Sequence, residues 1–210
     1  MTQNIKFRLA DAENFRLRNG NVDIPVTIRG ETGPHLPVVM LHGLQSHSGW
    51  FVQSSLALAA AGHPTFAFDR RGSGQKKKKP GDCVSFQEMI DDIAAVTDEA
   101  CARRQCDSVH VVAHCFGAIP AVFYCALNPS KVRSLTLASP ALAVRVRPPL
   151  KERIRIFVSV ITGCDAYASI PFREEMLSDD AEWIKFAQED PHALRRITGR
   201  CYMQIFLAQL

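Results

Sequence analysis

A doubly wound α/β fold with a mostly parallel sheet is the fold class this sequence predicts. Three observations predict it. Short apolar runs recur at 38–41, 65–68 and 108–113, the texture of strands buried on both faces. Helix-like stretches separate them, as the crossovers of a parallel sheet require. Each run stops abruptly at a turn that carries chemistry: His42-Gly43, Asp69-Arg70 and His114-Cys115.

The elements follow in order. Residues 24–28 read as a strand ended by Arg29-Gly30. The run 38–41 is broken by His42-Gly43, and the Ala-rich stretch 50–61 reads as a helix that Gly62 ends. The run 65–68 is broken by Asp69-Arg70-Arg71-Gly72-Ser73-Gly74. Ser85 reads as the N-cap of a helix running to about Arg104, with Glu88 placed as in a capping box. Strand 108–113 follows, then a helix over 117–127 that Asn128-Pro129 stops, then a strand at 134–138. Arg145, Arg147, Pro148 and Pro149 mark a basic hinge. Beyond it, Ile154, Phe157, Val158 and Ile161 give 150–161 a one-sided helical pattern. Helices are expected at 179–188 and 191–209, with Trp183, Phe186 and Phe206 as apolar bulk for a lid or a helix–helix core. The chain therefore divides into a sheet-based core over 1–147 and a helical cap over 148–210.

Composition bounds the function. With 47% apolar residues in 210, the chain can bury a sizeable core. A net charge of +4, part of it from the lysines at 76–79, falls short of the broad basic surface that nucleic acid needs. No apolar run reaches the ~18 residues of a membrane span, and the N-terminus lacks a secretory core. Seven scattered cysteines without a C-x-x-C pair give no reason to expect a metal or cofactor. They fit free thiols in a reducing cytoplasm.

In doubly wound sheets, chemistry collects at the carboxyl ends of the strands. The best-marked end here is His114-Cys115-Phe116-Gly117. A sharp strand-to-helix turn needs small neighbours, and Ala113 and Gly117 supply them in the spacing of G-x-S-x-G, with Cys in place of Ser. The helix N-terminus behind Cys115 is expected to lower its thiol pKa. The plain alternative is a small buried thiol.

Four stretches together carry a family resemblance: L-H-G-L-Q-S-H-S-G-W (41–50), F-D-R-R-G-S-G (68–74), A-H-C-F-G-A (113–118) and D-D-A-E-W-I-K-F-A-Q-E-D-P-H-A-L-R-R-I-T (179–198). From about residue 20 onward the chain resembles the α/β-hydrolases, in particular the lysophospholipase-like, serine-aminopeptidase-type hydrolases. The resemblance implies an α/β-hydrolase fold with Cys115 in the nucleophile position. It implies an oxyanion hole from the backbone N–H groups of Leu44 and Phe116, each worth roughly 3–4 kcal/mol of transition-state stabilisation. His42, Gly43, His114 and Gly117 would shape the site. The small-molecule partner would be an ester or related acyl substrate, with no cofactor.

The chain departs from the family pattern twice. Cys115 stands where the family usually has Ser. The family order is Ser, then Asp, then His, yet the one histidine past Cys115 is His192, inside the cap region. Ser139-Pro140-Ala141 follows the fourth strand, where some lipases carry an Asp. On this reading the catalytic acid, the catalytic histidine and the final strands are missing. The strand 134–138 is then an open edge, free for self-association or a complementing fragment, and the chain alone is weakly active or inactive. The alternative is a non-catalytic α/β-hydrolase-fold protein used in binding or assembly. His42 is expected to be a hydrogen-bonded structural histidine. His114 is not paired with Cys115, because a tight turn points adjacent side chains apart. Asp69 and Arg70 are expected to anchor a structural turn, and the lysines at 76–79 to be solvated.

Overall fold

The computed structural model describes residues 12–74, 79–143, 149–163 and 166–209. Six strands form one sheet: β1 (Ala12–Asn19), β2 (Val22–Arg29), β3 (Val38–Leu41), β4 (Thr65–Phe68), β5 (Val109–His114) and β6 (Val132–Ala138). Their spatial order is β1-β2-β4-β3-β5-β6. The last four run parallel; β2 pairs antiparallel with β4, and β1 antiparallel with β2. The expected parallel set is therefore present, with β5 between β3 and β6. Strand β1 was not anticipated. Its apolar residues, Phe15 and Leu17, alternate with charged ones, and only that one face packs inward.

Helices cover both faces, as a parallel sheet demands. On one side α2 (Phe86–Arg104) and α3 (Ala118–Leu127) bury Ile93, Val96, Ala121 and Tyr124 against Val39, Phe66, Val111 and Ala113. On the other, Leu58 of α1 (Val52–Ala60) packs with Phe51 against Val38, Met40 and Ala67. Strand β5 alternates: Val109, Val111 and Ala113 are buried, while His110, Val112 and His114 on the opposite face are half-buried.

The start of α2 departs from a capping box. Ser85 Oγ accepts from the Gln87 N–H at 3.2 Å, and Glu88 pairs with Arg71 at 3.0 Å. A guanidinium gives Glu88 a stronger partner than a backbone N–H. Arg71 also clamps Asp92 through two bonds, of 2.6 and 2.8 Å, and Asn19 Nδ2 donates to the same carboxylate at 2.7 Å. The turn after β1, the loop after β4 and α2 thus share one carboxylate.

The C-terminal segment holds α4 (Leu150–Thr162), α5 (Ala181–Glu189), α6 (Gly199–Ala208) and a two-stranded antiparallel sheet of β7 (Tyr167–Ser169) with β8 (Arg196–Thr198). Strand β8 corrects the expected single helix over 191–209. The Thr198 N–H is taken by the Gly81 carbonyl at 3.0 Å, and its Oγ1 both bonds Asp82 and caps α6. Gly81 has φ +71°, and a Cβ there would stand 2.3 Å from the Arg196 carbonyl. The loop 79–83 can therefore lie flat against β8. Where α4 crosses α6, a Cβ on Gly199 would stand 2.2 Å from Ser159 Oγ. The expected hinge residues Arg145, Arg147 and Pro148 lie outside the described residues, as do Lys76, Lys77 and Lys78. Strand β6 ends the sheet, with alternate residues exposed.

The Asp92 carboxylate, 1% exposed, yields a stability prediction. Asp92→Ala leaves Arg71 Nε and Nη2 and the Asn19 amide without their acceptor, with Glu88 still on Nη1, and is expected to cost about 3 kcal/mol in urea unfolding. A loss below about 1 kcal/mol would show that water replaces the carboxylate without penalty.

Candidate functional site

Strand β5 delivers Cys115 to the carboxyl edge of the sheet. There the backbone turns in one residue, with Cys115 at φ +51°, a left-handed value that costs a non-glycine residue strain. A short 3₁₀ turn, Cys115–Gly117, then leads into α3. The turn packs directly on the loop after β3. A Cβ on Gly117 would stand 2.6 Å from the His42 carbonyl. A Cβ on Gly43 would stand 3.1 Å from Cys115 Cβ and 3.3 Å from both His114 Nδ1 and Ser46 Oγ. Gly117 is needed because two backbones meet there, whereas Gly43 faces side-chain atoms at a tight distance.

This closeness sets the surroundings of the Cys115 thiol. Burial pushes its pKa up, while hydrogen bonds from the Phe116 and Leu44 N–H groups and the Arg70 charge pull it down. Burial wins. The expectation of a thiol pKa lowered by the helix N-terminus is thus corrected, because desolvation of a thiolate outweighs two amide donors. The thiol faces a cavity of about 90 Å³ whose lining includes Leu44, Phe116, Phe172, Tyr202, Ile205 and Phe206.

Two histidines lie near Cys115, and His42 has both ring nitrogens engaged. His42 is 2% exposed. Its Nε2 accepts from the Arg70 N–H at 3.1 Å, so Nδ1 carries the proton and donates to the Gly43 carbonyl at 2.8 Å. Burial and the Arg70 charge push its pKa down to about 3, so it stays neutral. The His114 ring packs against Phe51 at 5.7 Å, and burial lowers its pKa. His114 Nδ1 is buried without a hydrogen-bond partner. Arg70, expected to be part of a turn, proves central. Its guanidinium donates to the Leu44 carbonyl at 2.8 Å and lies 5.1 Å from the Phe116 ring centre. Asp69 Oδ1 accepts from the Ser48 N–H at 2.8 Å, fixing the far end of the same loop.

Sequence reading did not find His47, Trp50 and Asp190. His47 Nε2 lies 2.8 Å from Asp190 Oδ2, and Trp50 Nε1 donates to the same oxygen at 2.5 Å. The His192 ring packs edge-on to His47 at 5.7 Å. Partners 143 residues apart leave no local signal. Among the described residues, no group of three or more His, Cys, Asp or Glu could hold a metal ion. No helix among them is long and apolar enough to cross a membrane.

Comparison with known proteins adds a family. A family model described as serine aminopeptidase, S33, matches residues 32–209. The probable lysophospholipase L2 of Haemophilus influenzae is 26% identical over 105 residues, which are 49% of this chain and 34% of that protein. The proline iminopeptidase of Heyndrickxia coagulans is 30% identical over 115 residues, 54% of this chain and 38% of that protein. The match thus spans little more than a third of either relative's own length. Among solved structures, the Paleococcus ferrophilus monoacylglycerol lipase superposes with TM-score 0.73 at 25% identity, covering 94% of this chain and 70% of that one. A soluble variant of the Saccharomyces cerevisiae monoglyceride lipase gives TM-score 0.78 at 13% identity, covering 94% and 67%. The second likeness shows the α/β-hydrolase fold alone.

The raised Cys115 pKa predicts how the thiol reacts with pH. At pH 7 its thiolate fraction falls below that of an ordinary cysteine, whose pKa is about 8.5. Alkylation by iodoacetamide, followed on the Cys115 peptide by mass spectrometry, should quicken about tenfold per pH unit and still be rising near pH 9. A plateau below about pH 8 would show that the amide donors prevail.

Proposed function

The chain belongs to the serine aminopeptidase S33 family, and on that premise we propose that it is a hydrolase-fold enzyme of ester or related acyl substrates, with Cys115 as nucleophile. One observation carries this reading: the Cys115 thiol is held at a left-handed turn beside an apolar cavity that Leu44 and Phe116, from separate loops, also line; the N–H groups of those two residues favour its thiolate. On this reading 1–147 is the catalytic core and 148–210 the cap, whose Tyr202, Ile205 and Phe206 line the cavity. An acyl chain suits such a lining. The names of the Haemophilus and Paleococcus proteins, a lysophospholipase and a monoacylglycerol lipase, point to the same substrate class. Six free thiols among the described residues fit a reducing compartment such as the cytoplasm. The edge of β6 leaves room for a further strand, from a second copy or another segment.

The chemistry follows from the geometry. Cys115 loses its proton to solvent, and the thiolate attacks the carbonyl carbon. A C–S bond forms and the carbonyl oxygen gains the charge. The two N–H groups bind this oxyanion in a water-poor pocket, where such bonds are strong. Collapse expels the alkoxide or phenoxide and leaves a thioester on Cys115. Hydrolysis of that thioester needs a base to activate water. Neutral His42, with both ring nitrogens engaged, offers none.

The expected outcome is one acyl transfer and then a stall. Incubation with p-nitrophenyl acetate should add one acetyl group to Cys115, with nitrophenol released to about one equivalent. Cys115→Ala should abolish both. Sustained turnover by the purified chain would show that another group supplies the base. Equal acetylation of Cys115→Ala would make the thiol a bystander and favour a non-catalytic binding protein.

A further inference from the structure

We propose that Asp190 is a positioning residue that acts through His47 to hold the Leu44 N–H on the reacting oxygen. The inference rests on the reading of Leu44 as an oxyanion donor and assigns the group that keeps it in place. The loop from His42 to His47 has no regular secondary structure. The direction of its N–H groups is therefore set by what its ends and carbonyls are tied to. Arg70 ties the Leu44 carbonyl at 2.8 Å from the core side. From the C-terminal segment, the Leu194 N–H ties the Gln45 carbonyl at 2.8 Å, and Gln45 Nε2 donates to the Phe172 carbonyl at 3.2 Å.

Within the loop the Gly43 N–H donates to Ser46 Oγ at 2.9 Å, and Asp69 holds the Ser48 N–H beyond it. A further tie, to the C-terminal segment, is the His47–Asp190 pair, three residues from Leu44. Its side chains are 10% and 6% exposed. The Gly49 N–H donates to His47 Nδ1 at 3.1 Å, which puts the ring proton on Nε2, aimed at Asp190. Asp190 is anchored in turn. Trp50 Nε1 donates to one carboxylate oxygen at 2.5 Å, and the His192 N–H to the other at 2.8 Å. Trp50 then packs edge-on against Trp183 of α5 at 5.4 Å. Burial would raise the Asp190 carboxyl, but Trp50, the His192 N–H and His47 together hold it below the ordinary carboxylate value. An anionic acceptor thus faces a buried imidazole N–H, the stronger class of hydrogen bond. The arrangement gives the loop one orientation. Displacement of about 1 Å at Leu44 would forfeit its bond to the oxyanion.

Two reactions of the same thiol separate positioning from general disruption. Acetylation by p-nitrophenyl acetate develops an oxyanion. Methyl methanethiosulfonate does not: the thiolate attacks sulfur, a mixed disulfide forms, and methanesulfinate leaves with the electron pair. In His47→Ala and in Asp190→Ala, acetylation of Cys115 should slow between tenfold and about a hundredfold. The thiosulfonate rate should change less than about twofold, since no oxyanion donor serves it. The double variant should be no slower than the slower single, as for residues acting in series. Asp190→Asn keeps the shape and one acceptor oxygen, so it folds where truncations fail, and should slow acetylation severalfold. If both reactions shift together, the pair is a general packing element and the proposal falls. If acetylation does not move in any variant, it falls as well. If wild-type protein takes no acetyl group on Cys115, the nucleophile reading fails and the proposal with it.

Discussion

A guanidinium buried beneath the Cys115 turn is the constraint on which the site depends. Arg70 is 7% exposed, and removing its charge from water is costly, as its lowered pKa reflects. Its two terminal nitrogens meet carbonyls, Leu44 at 2.8 Å and Arg71 at 3.4 Å, while Nε is buried without a partner. Its own backbone N–H meets His42 Nε2. Those partners belong to the loop after β3 and the loop after β4. The Phe116 ring, from the loop after β5, lies against the same guanidinium. Three strand ends are thereby held around one cation. Loss of the cation would free the Leu44 carbonyl and leave the Arg70 N–H to His42 bond and the Ser48 N–H to Asp69 bond to hold the first two loops together.

The crowding that this permits has a chemical consequence. Gly43 and Gly117 let the two backbones come within van der Waals contact of Cys115. That brings two N–H groups to the thiol, and it also removes water from it. Donation and desolvation act in opposite directions on a thiolate, and here desolvation is larger. On the proposed reading, the two donors would serve charge that appears on a substrate oxygen rather than charge resting on sulfur. Donors aimed at a developing oxyanion need no reorganisation when it forms, and in a dry pocket they act at full strength.

Much of this was legible in the sequence because it is local. The runs at 38–41 and 65–68 are buried on both faces, so hydrophobicity alone marks them, and the structure places β3 and β4 there to the residue. The turn at Cys115 announces itself through small residues on either side. What sequence could not supply depends on partners far along the chain. The span 191–198 shows helix-compatible residues, yet it pairs with β7 and is fixed by the Gly81 carbonyl and Asp82. Glu88 fits a capping box by spacing, but Arg71 wins it. His47 and Asp190 carry no pattern at all until the fold brings them together. The alternation of Phe15 and Leu17 was readable as a strand, and its charged neighbours hid it.

The C-terminal segment touches the site in two different ways, and the two cannot be independent. Tyr202, Ile205 and Phe206 of α6 line the cavity and would set which acyl group enters. Asp190 and Leu194, a few residues upstream, hold the loop that carries Leu44. Between them, β8 is clasped by the loop 79–83, with Arg200 and Thr198 both on Asp82. A movement of α6 that widened the cavity would have to strain this clasp or carry β8 with it. Carrying β8 would pull on Leu194 and so on Gln45, one residue from Leu44. Substrate fit and donor alignment therefore share one mechanical path. A substrate that filled the cavity without displacing α6 would leave the Leu44 N–H in place, whereas one that forced it outward would weaken the donor it needs.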